Sequence, residues 1–543
     1  AFAAIPLLLA GAALLCSLGA RASAQPAATP PPTSAVAAPT GPQVEPAPPG
    51  ADQARLPPSP PAPAVSTPAP AAAAAKAPVQ DKLVEELIPI GILILVILLV
   101  VWRLPKVDVG HSQAFRRRRA LNWLPLGLTY AFLYMGRYNL SVFKDAGGLT
   151  NEQFGQIFGW GSATYGLAFL LNGPLTDRWG GRITILISAA GSAACNATMG
   201  FLYMTHRGDG LPVGLFGFLY CANMYFQSFG AVSIVKVNAS WFHVRERGTL
   251  GGIFGILISL GLYFAYDWGY RISKAFELEW LFLVPSVMLL VFLFLSYLFV
   301  RDTPSRAGHR DFDLGDASSG DAGPPLRALQ VIKKMMTNRI ILIIAAIELC
   351  SGFLRQSILQ WYRDFAKGVS IVDSYVYEHW GMVSCIAGIT GGMFAGLISD
   401  HLFQSRRAPV SAVLYAVMLL GALTIAAVLI VPIGSIYAVG FTIAVMSMAI
   451  IGVHGMLSGT AAADFGGSKN AGVAVGLIDG FVYLGSTAQS FFYGYTLPEK
   501  KSPEAADVTN WYAWPLAMIP VAMIGLVLAT RVWNARPARA GGH

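Results

Sequence analysis

Gly173-Pro-Leu-Thr-Asp177-Arg178-Trp-Gly180-Gly-Arg182 and Gly396-Leu-Ile-Ser-Asp400-His401 are two versions of one pattern. In each, a glycine precedes an aspartate by four positions and basic residues follow, Arg178 and Arg182 in the first, Arg406 and Arg407 in the second. The aspartates stand 400 − 177 = 223 positions apart. Each pattern closes an apolar run, 153–174 or 376–398, of the roughly 20 residues that a helix needs to cross a bilayer. A second pair repeats at nearly the same spacing: Arg137 and Arg355 are 355 − 137 = 218 positions apart, each inside the first apolar run of its half. Each lies 17 positions beyond the start of its run (137 − 120 and 355 − 338). At 1.5 Å per residue both sit about 25 Å along their helices, so they share a depth. The chain reads as two parallel halves.

Composition agrees. Of 543 residues, 55% are hydrophobic and 12% charged, about half the ~25% charged share of an ordinary globular domain. Such a chain cannot cover itself with polar surface, so it is expected to be an all-α polytopic membrane protein. The net charge of +9 does not point to nucleic acid, because the basic residues gather in short loops between apolar runs and read as orientation. The five cysteines include no CxxC pair, so neither a metal site nor a disulfide framework is expected. A Walker loop, HExxH and GxSxG are likewise missing in any credible setting, which argues against an ATP-driven pump and against an enzyme; no cofactor is expected.

Thirteen apolar runs of spanning length recur, one near 85–102 and twelve between 120 and 532. Ahead of them, 1–24 resembles a signal peptide ending in Ala22-Ser23-Ala24, with a wrongly assigned gene start as the alternative. Residues 25–80 form a Pro/Ala-rich disordered spacer that cannot bury a core. The remaining units are an extra transmembrane helix (84–103), an N-terminal six-helix bundle (115–301), a cytoplasmic central loop (302–338) and a C-terminal six-helix bundle (339–535). If the spacer is exported, Arg116 to Arg119 are cytosolic. The loops carrying Arg178 and Arg182, Arg245 and Arg247, Arg301 to Lys334, Arg406 and Arg407, and Arg531 to Arg539 then fall on the same side. This parity puts the C-terminus in the cytoplasm of a bacterial-type inner membrane.

Several motifs carry a family resemblance: GxxxDRxGxR with its degenerate second copy, Tyr130-x3-Tyr134-x2-Arg137, Trp241-x4-Glu246-Arg247-Gly248, Phe353-Leu354-Arg355 with Trp361, Ile451-Gly452-Val453-His454, and Tyr483-Leu484-Gly485. Over 115–535 the chain resembles the major facilitator superfamily, and within it the organophosphate:phosphate antiporters. The resemblance implies twelve transmembrane helices in two six-helix bundles and a monomeric transport unit in the lipid bilayer. It further implies a phosphate ester, glycerol-3-phosphate or a sugar phosphate, exchanged for inorganic phosphate by rocker-switch alternating access. In that family equivalent arginines bind the phosphoryl group and nearby tyrosines complete the pocket. Three family cations are replaced here, by Tyr138, Phe169 and Ile258.

The residues themselves support an anion site. A mid-bilayer arginine is costly, about 2.5–3.5 kcal/mol on insertion scales, and its planar fork suits phosphate or carboxylate. Arg137 and Arg355, one from each half, would clamp a small anionic solute. Tyr130 and Tyr134 share a helix face with Arg137, and Tyr165 lines the second span. The alternative is a structural arginine, with Glu348 seven positions before Arg355 as its partner. Asp177, Arg178, Arg182 and Asp400 are read as a gate latch whose charges pair in one conformation. Asp479 and Glu348 are candidates for proton coupling or for balancing an arginine, and His454 is read as a hydrogen-bonded packing residue rather than a proton relay. Gly251, Gly252 and Gly255 are expected to pack closely against a neighbouring helix. A proton-coupled carboxylate symporter and a non-transporting ligand sensor of the same fold remain as alternative functions.

Overall fold

The computed structural model describes residues 91, 93–95, 97–99, 110–207, 210–243, 246–312, 328–403, 407–431, 435–457 and 462–534. The segments 1–24 and 25–80 and most of the extra helix expected at 84–103 lie outside them; the described residues of that helix are helical, with Leu93 and Ile97 buried.

No strand forms among the described residues. The first half comprises α1 (Gln113–Asp145), α2 (Asn151–Trp179), α3 (Gly181–Thr205), α4 (Val213–Ala239), α5 (Arg247–Tyr263) with α6 (Gly269–Ala275), and α7 (Trp280–Phe299). A π turn at Phe264–Trp268 joins α5 to α6, making them one pass. After the short α8 (Ala328–Met336), the second half comprises α9 (Arg339–Gly368), α10 (Tyr375–Glu378), α11 (Trp380–Leu402), α12 (Arg407–Ile430), α13 (Ala438–Met456), α14 (Ala462–Thr496) and α15 (Ala513–Arg531). Omitting α8 and α10, each half makes six passes.

Local chemistry sets the starts. Ser112 accepts from the Phe115 N–H at 3.2 Å to begin α1. Thr150 and Gln153 form a reciprocal capping box at α2, and Asn338 accepts from the Ile340 N–H at 3.0 Å to begin α9. Gly180, at φ +90, reverses the chain between α2 and α3, a conformation that disfavours any residue with a Cβ.

Polarity is inverted relative to a soluble protein. Trp160, Leu171, Phe218, Phe294 and Phe441 are each more than half exposed, while Arg137, Asn139, Asn196, Asn223, Gln227 and Glu348 are buried. Only a hydrocarbon surround makes that distribution favourable. Six passes (α3, α7, α9, α12, α13 and α15) are apolar enough to cross a bilayer on composition alone. The more polar helices do inner work. α2 packs on α14 and α5 on α11, forming the two seams between halves, and α1 packs on α5 and α7.

Arg301, just beyond α7, meets α1 where its N–H donates to Asn122 Oδ1 at 2.7 Å. This marks the side of the bundle that carries the central loop, called here the loop side; the opposite end is the far side. Trp241 donates from Nε1 to the Arg301 carbonyl at 2.9 Å, and Glu246 takes both arms of the Arg119 guanidinium at 2.9 Å. The Trp241–Glu246 motif thus ties the basic start of α1 to the loop side.

Glycines govern the closest approaches. A Cβ at Gly485 would stand 1.9 Å from the Leu349 carbonyl oxygen, and one at Gly352 would stand 1.8 Å from that of Val482, so α9 and α14 touch backbone to backbone. The close packing expected of Gly255 is not made, since a Cβ there meets nothing within 4 Å; Gly261 packs on α1 instead, where a Cβ would stand 2.8 Å from the Ala131 carbonyl oxygen. The side chains of positions 251–254 lie outside the described residues. Gly485→Ala is therefore expected to lower stability by about 1–3 kcal/mol through overpacking, read as a lower melting temperature in detergent. Gly392→Ala, where a Cβ finds open space, should leave the melting temperature where it was.

Candidate anion-binding site

Arg137 stands in the middle of α1, where every residue from Asn122 to Asp145 except Leu124 is buried. Its Nε donates to Gln227 Oε1 of α4 at 3.0 Å, and Nη1 donates to the Tyr483 hydroxyl of α14, in the other half. Three rings surround the guanidinium carbon: Tyr165 at 4.3 Å, Tyr134 at 4.8 Å and Tyr483 at 5.5 Å from their centroids. Tyr165 and Tyr483 are themselves only 4.1 Å apart between centroids. Tyr130 stacks edge-on against Tyr134 at 5.2 Å. The tyrosines singled out from the sequence thus gather around one charge.

Arg355 is 6% exposed on α9 and lies within electrostatic range of Arg137, Tyr134, Tyr138 and Tyr483. Its Nε and Nη2 are buried without a hydrogen-bond partner among the described residues, as is Nη2 of Arg137. Buried charged donors of this kind are rare and costly. Neither arginine has a carboxylate within ion-pair distance among the described residues. Glu348, the proposed structural partner of Arg355, instead meets the imidazole of His454 on α13 at 3.1 Å. His454 thus makes its hydrogen bond to a buried carboxylate.

The replaced cation positions are filled by packing. Tyr138 accepts from Gln356 Nε2 at 2.9 Å across the interface, and Phe169 stands edge-on to Tyr165 at 4.9 Å.

The latch residues fall elsewhere. Asp177 pairs with Lys236 of α4 at 2.7 Å, in the same half and partly exposed, rather than with Arg178 or Arg182. Asp302 accepts from the Arg182 backbone N–H at 2.8 Å, and the Arg182 guanidinium reaches the Tyr297 carbonyl at 2.8 Å. Arg178 is exposed, and the side chain of Asp400 lies outside the described residues.

A charge cluster that no sequence motif signals joins the halves on the far side. Lys144 pairs with Asp364, and Arg363 Nε meets Asp145 Oδ2 at 3.2 Å. Lys500 sits 3.7 Å from Asp145 and 3.8 Å from Asp364. Lys144, Asp145, Arg363 and Asp364 are buried, and each pair joins α1 to α9. Lys144 lies 3.6 Å over Trp361, and Arg363 lies between Tyr270 at 3.6 Å and Tyr377 at 3.8 Å. On the second seam Asp267, in the π turn, accepts from the Gly381 N–H at 2.8 Å and the Met382 N–H at 3.0 Å at the start of α11. The structure is closed at this end.

Comparison with known proteins bears on the same residues. Residues 126–489 match the family profile described as Major Facilitator Superfamily. A glycerol-3-phosphate transporter of Bacillus subtilis (strain 168) is 26% identical over 458 residues, covering 79% of this chain and 95% of that protein. The membrane sensor protein UhpC of Salmonella typhimurium is 24% identical, covering 80% and 95%. Among solved structures, a bacterial homolog of the human lysosomal transporter Spinster, inward-facing and unoccupied, superposes with a TM-score of 0.58 at 13% identity, covering 78% of this chain and 98% of that one.

Breaking one buried ion pair while leaving its partner charged costs about 3–5 kcal/mol, enough to populate a far-side-open form. With the native cysteines replaced by serine, Ser141→Cys, buried on α1 between the arginine and the cluster, should resist a charged thiol reagent. Adding Arg363→Ala is expected to raise its labelling at least about tenfold, and the swapped pair Asp145→Arg with Arg363→Asp should restore protection.

Proposed function

The chain belongs to the Major Facilitator Superfamily, and from that premise we propose that it is a secondary carrier of an organic anion, a phosphate ester exchanged for inorganic phosphate by alternating access. One observation carries the anion: two buried guanidinium groups, one per half, keep donors with no partner among the described residues, Arg137 inside a tyrosine cage and Arg355 within electrostatic range of it. The name of the Bacillus subtilis relative supports a phosphate ester as cargo. The loop side, with its arginine-rich segments, faces the cytosol of the inner membrane, and the N-terminal spacer lies on the other side.

Like charges held in low dielectric repel. An oxyanion accepting from Arg137 Nη2 and from Arg355 Nε and Nη2 cancels that repulsion and bridges the halves through charge-assisted hydrogen bonds. Tyr483, already bonded to Arg137 across the seam, follows the arginine as the halves move. Asp177, Arg178, Arg182 and Asp400 serve the loop-side gate in this reading, with Lys236 as the partner of Asp177 in the far-side-closed state. A monovalent carboxylate is the second reading, favoured by the filling of the other cation positions with Tyr138 and Phe169.

Purified protein in liposomes preloaded with phosphate should take up labelled glycerol-3-phosphate or a hexose phosphate by counterflow. Arg137→Lys or Arg355→Lys should weaken binding by about 30-fold or more, since truncating one partner of a buried charge contact costs 2 kcal/mol upward. Tight binding without turnover would transfer the chain to the sensors. Uptake of carboxylates alone would remove the phosphate ester.

A further inference from the structure

The buried acid of α9 has a function in this carrier that balancing an arginine does not cover. Glu348 is 0% exposed, and its Oε2 lies 3.1 Å from Nδ1 of His454, whose side chain keeps 23% exposure. The pair has room for one proton in two forms, an ionised carboxylate beside imidazolium or a neutral acid beside neutral imidazole. Glu348 is nine residues from the loop-side start of α9, and Arg355 lies seven residues further in, about 10 Å at 1.5 Å per residue. The pair thus stands between the loop side and the anion site, two helical turns from the charge that an anion would neutralise.

The surrounding charges are few. On α9 itself the neighbours are Arg355, Ser351 and the thiol of Cys350. From α12, Tyr415 lies beside Glu348 while its hydroxyl donates to the Ile347 carbonyl at 2.6 Å. From α13 comes His454, and from α14 Asp479 acts on that imidazole. Arg531 of α15 sits beside Arg339 at the loop-side end of α9.

The guanidinium of Arg355 acts on both members of the pair and disfavours a proton there by like-charge repulsion. An anion held on Arg355 removes that repulsion, so the pair gains proton affinity when the site is loaded.

Resting on the anion-carrier reading above, we infer that Glu348 and His454 together form a proton-binding site that loads with the anion. The proton comes from water on the loop side, is held by the carboxylate or the imidazole, and leaves the same pair when the anion departs. Because linkage is reciprocal, anion binding and proton binding tighten each other.

Calorimetry of the full chain in detergent, titrated with inorganic phosphate in two buffers of different ionisation heat, counts the protons taken up per anion. Phosphate's own titration is common to all variants, so differences between proteins report the protein's proton. Wild type is expected to take up about one proton more per phosphate than either Glu348→Gln or His454→Gln. Glu348→Gln keeps the size of the side chain, melting curves confirm that each variant is folded, and the second variant removes the pair from the other helix. An unchanged proton count in both variants overturns the site. So does a loss confined to Asp479→Asn, which would move the proton to α14. Wild type that binds no phosphate at all removes the anion reading and this inference together, a result distinguishable from the others because no heat is exchanged in any variant.

Discussion

Two positive charges are held inside an apolar bundle with no carboxylate within ion-pair distance among the described residues, and the rest of the architecture is arranged around that unfavourable fact. Arg137 is stabilised by what the first half and one helix of the second can offer without cancelling its charge: an amide oxygen from Gln227, a phenol from Tyr483 and the faces of three tyrosines. Aromatic faces favour a cation when water is excluded, yet they leave it a full positive charge. A carboxylate in the same place would have made the arginine structural. The choice of phenols over acids keeps the site hungry for an anion.

The 218-residue offset proves to be geometric. Arg137 and Arg355 share it; so do Tyr138 and Gln356, hydrogen-bonded to each other, and Asp145 and Arg363, paired as ions. Equivalent positions of two related halves meet when they lie near the axis that relates them. From Tyr138 to Asp145, and from Gln356 to Arg363, is seven residues, two turns on one helix face. The repeat was therefore legible in Arg137 and Arg355, and extending it two turns would have found the ion pair. What hid it was chemistry: Tyr138 and Gln356, or Asp145 and Arg363, are not alike, so the repeat persists in position after it has vanished in residue type.

Other features could not be read from one sequence because they depend on which helix lies beside which. The twelve passes, the six-plus-six division and the tyrosine face of α1 follow from periodicity and length. The pairing of Asp177 with Lys236 across 59 positions and of Glu348 with His454 across 106 does not, since no local spacing signals either. Gly255 met the pattern expected of a packing glycine yet faces open space, while Gly261, two turns away, makes the contact. A glycine on a helix reports that close approach is permitted, and only the neighbour decides whether it occurs.

The ion pairs at the two ends of the molecule differ in strength, and only those of the far side join the halves, which bears on why exchange is the natural mode. The far-side ion pairs are buried, so separating them exposes uncompensated charge at a cost of several kcal/mol. Asp177 and Lys236 are partly exposed and lie within one half, a contact worth about 0–1 kcal/mol. An empty carrier therefore has little to gain by opening the far side, and its two arginines still oppose the approach of the halves through any closed intermediate. A bound anion removes that opposition and adds bonds to both halves. A ligand shifts a conformational equilibrium only by the difference in its affinity for the two states, and a bridging anion between Arg137 and Arg355 supplies that difference where an empty site has none. Loaded carriers would cross and empty ones would wait, so each solute carried one way requires another on the return.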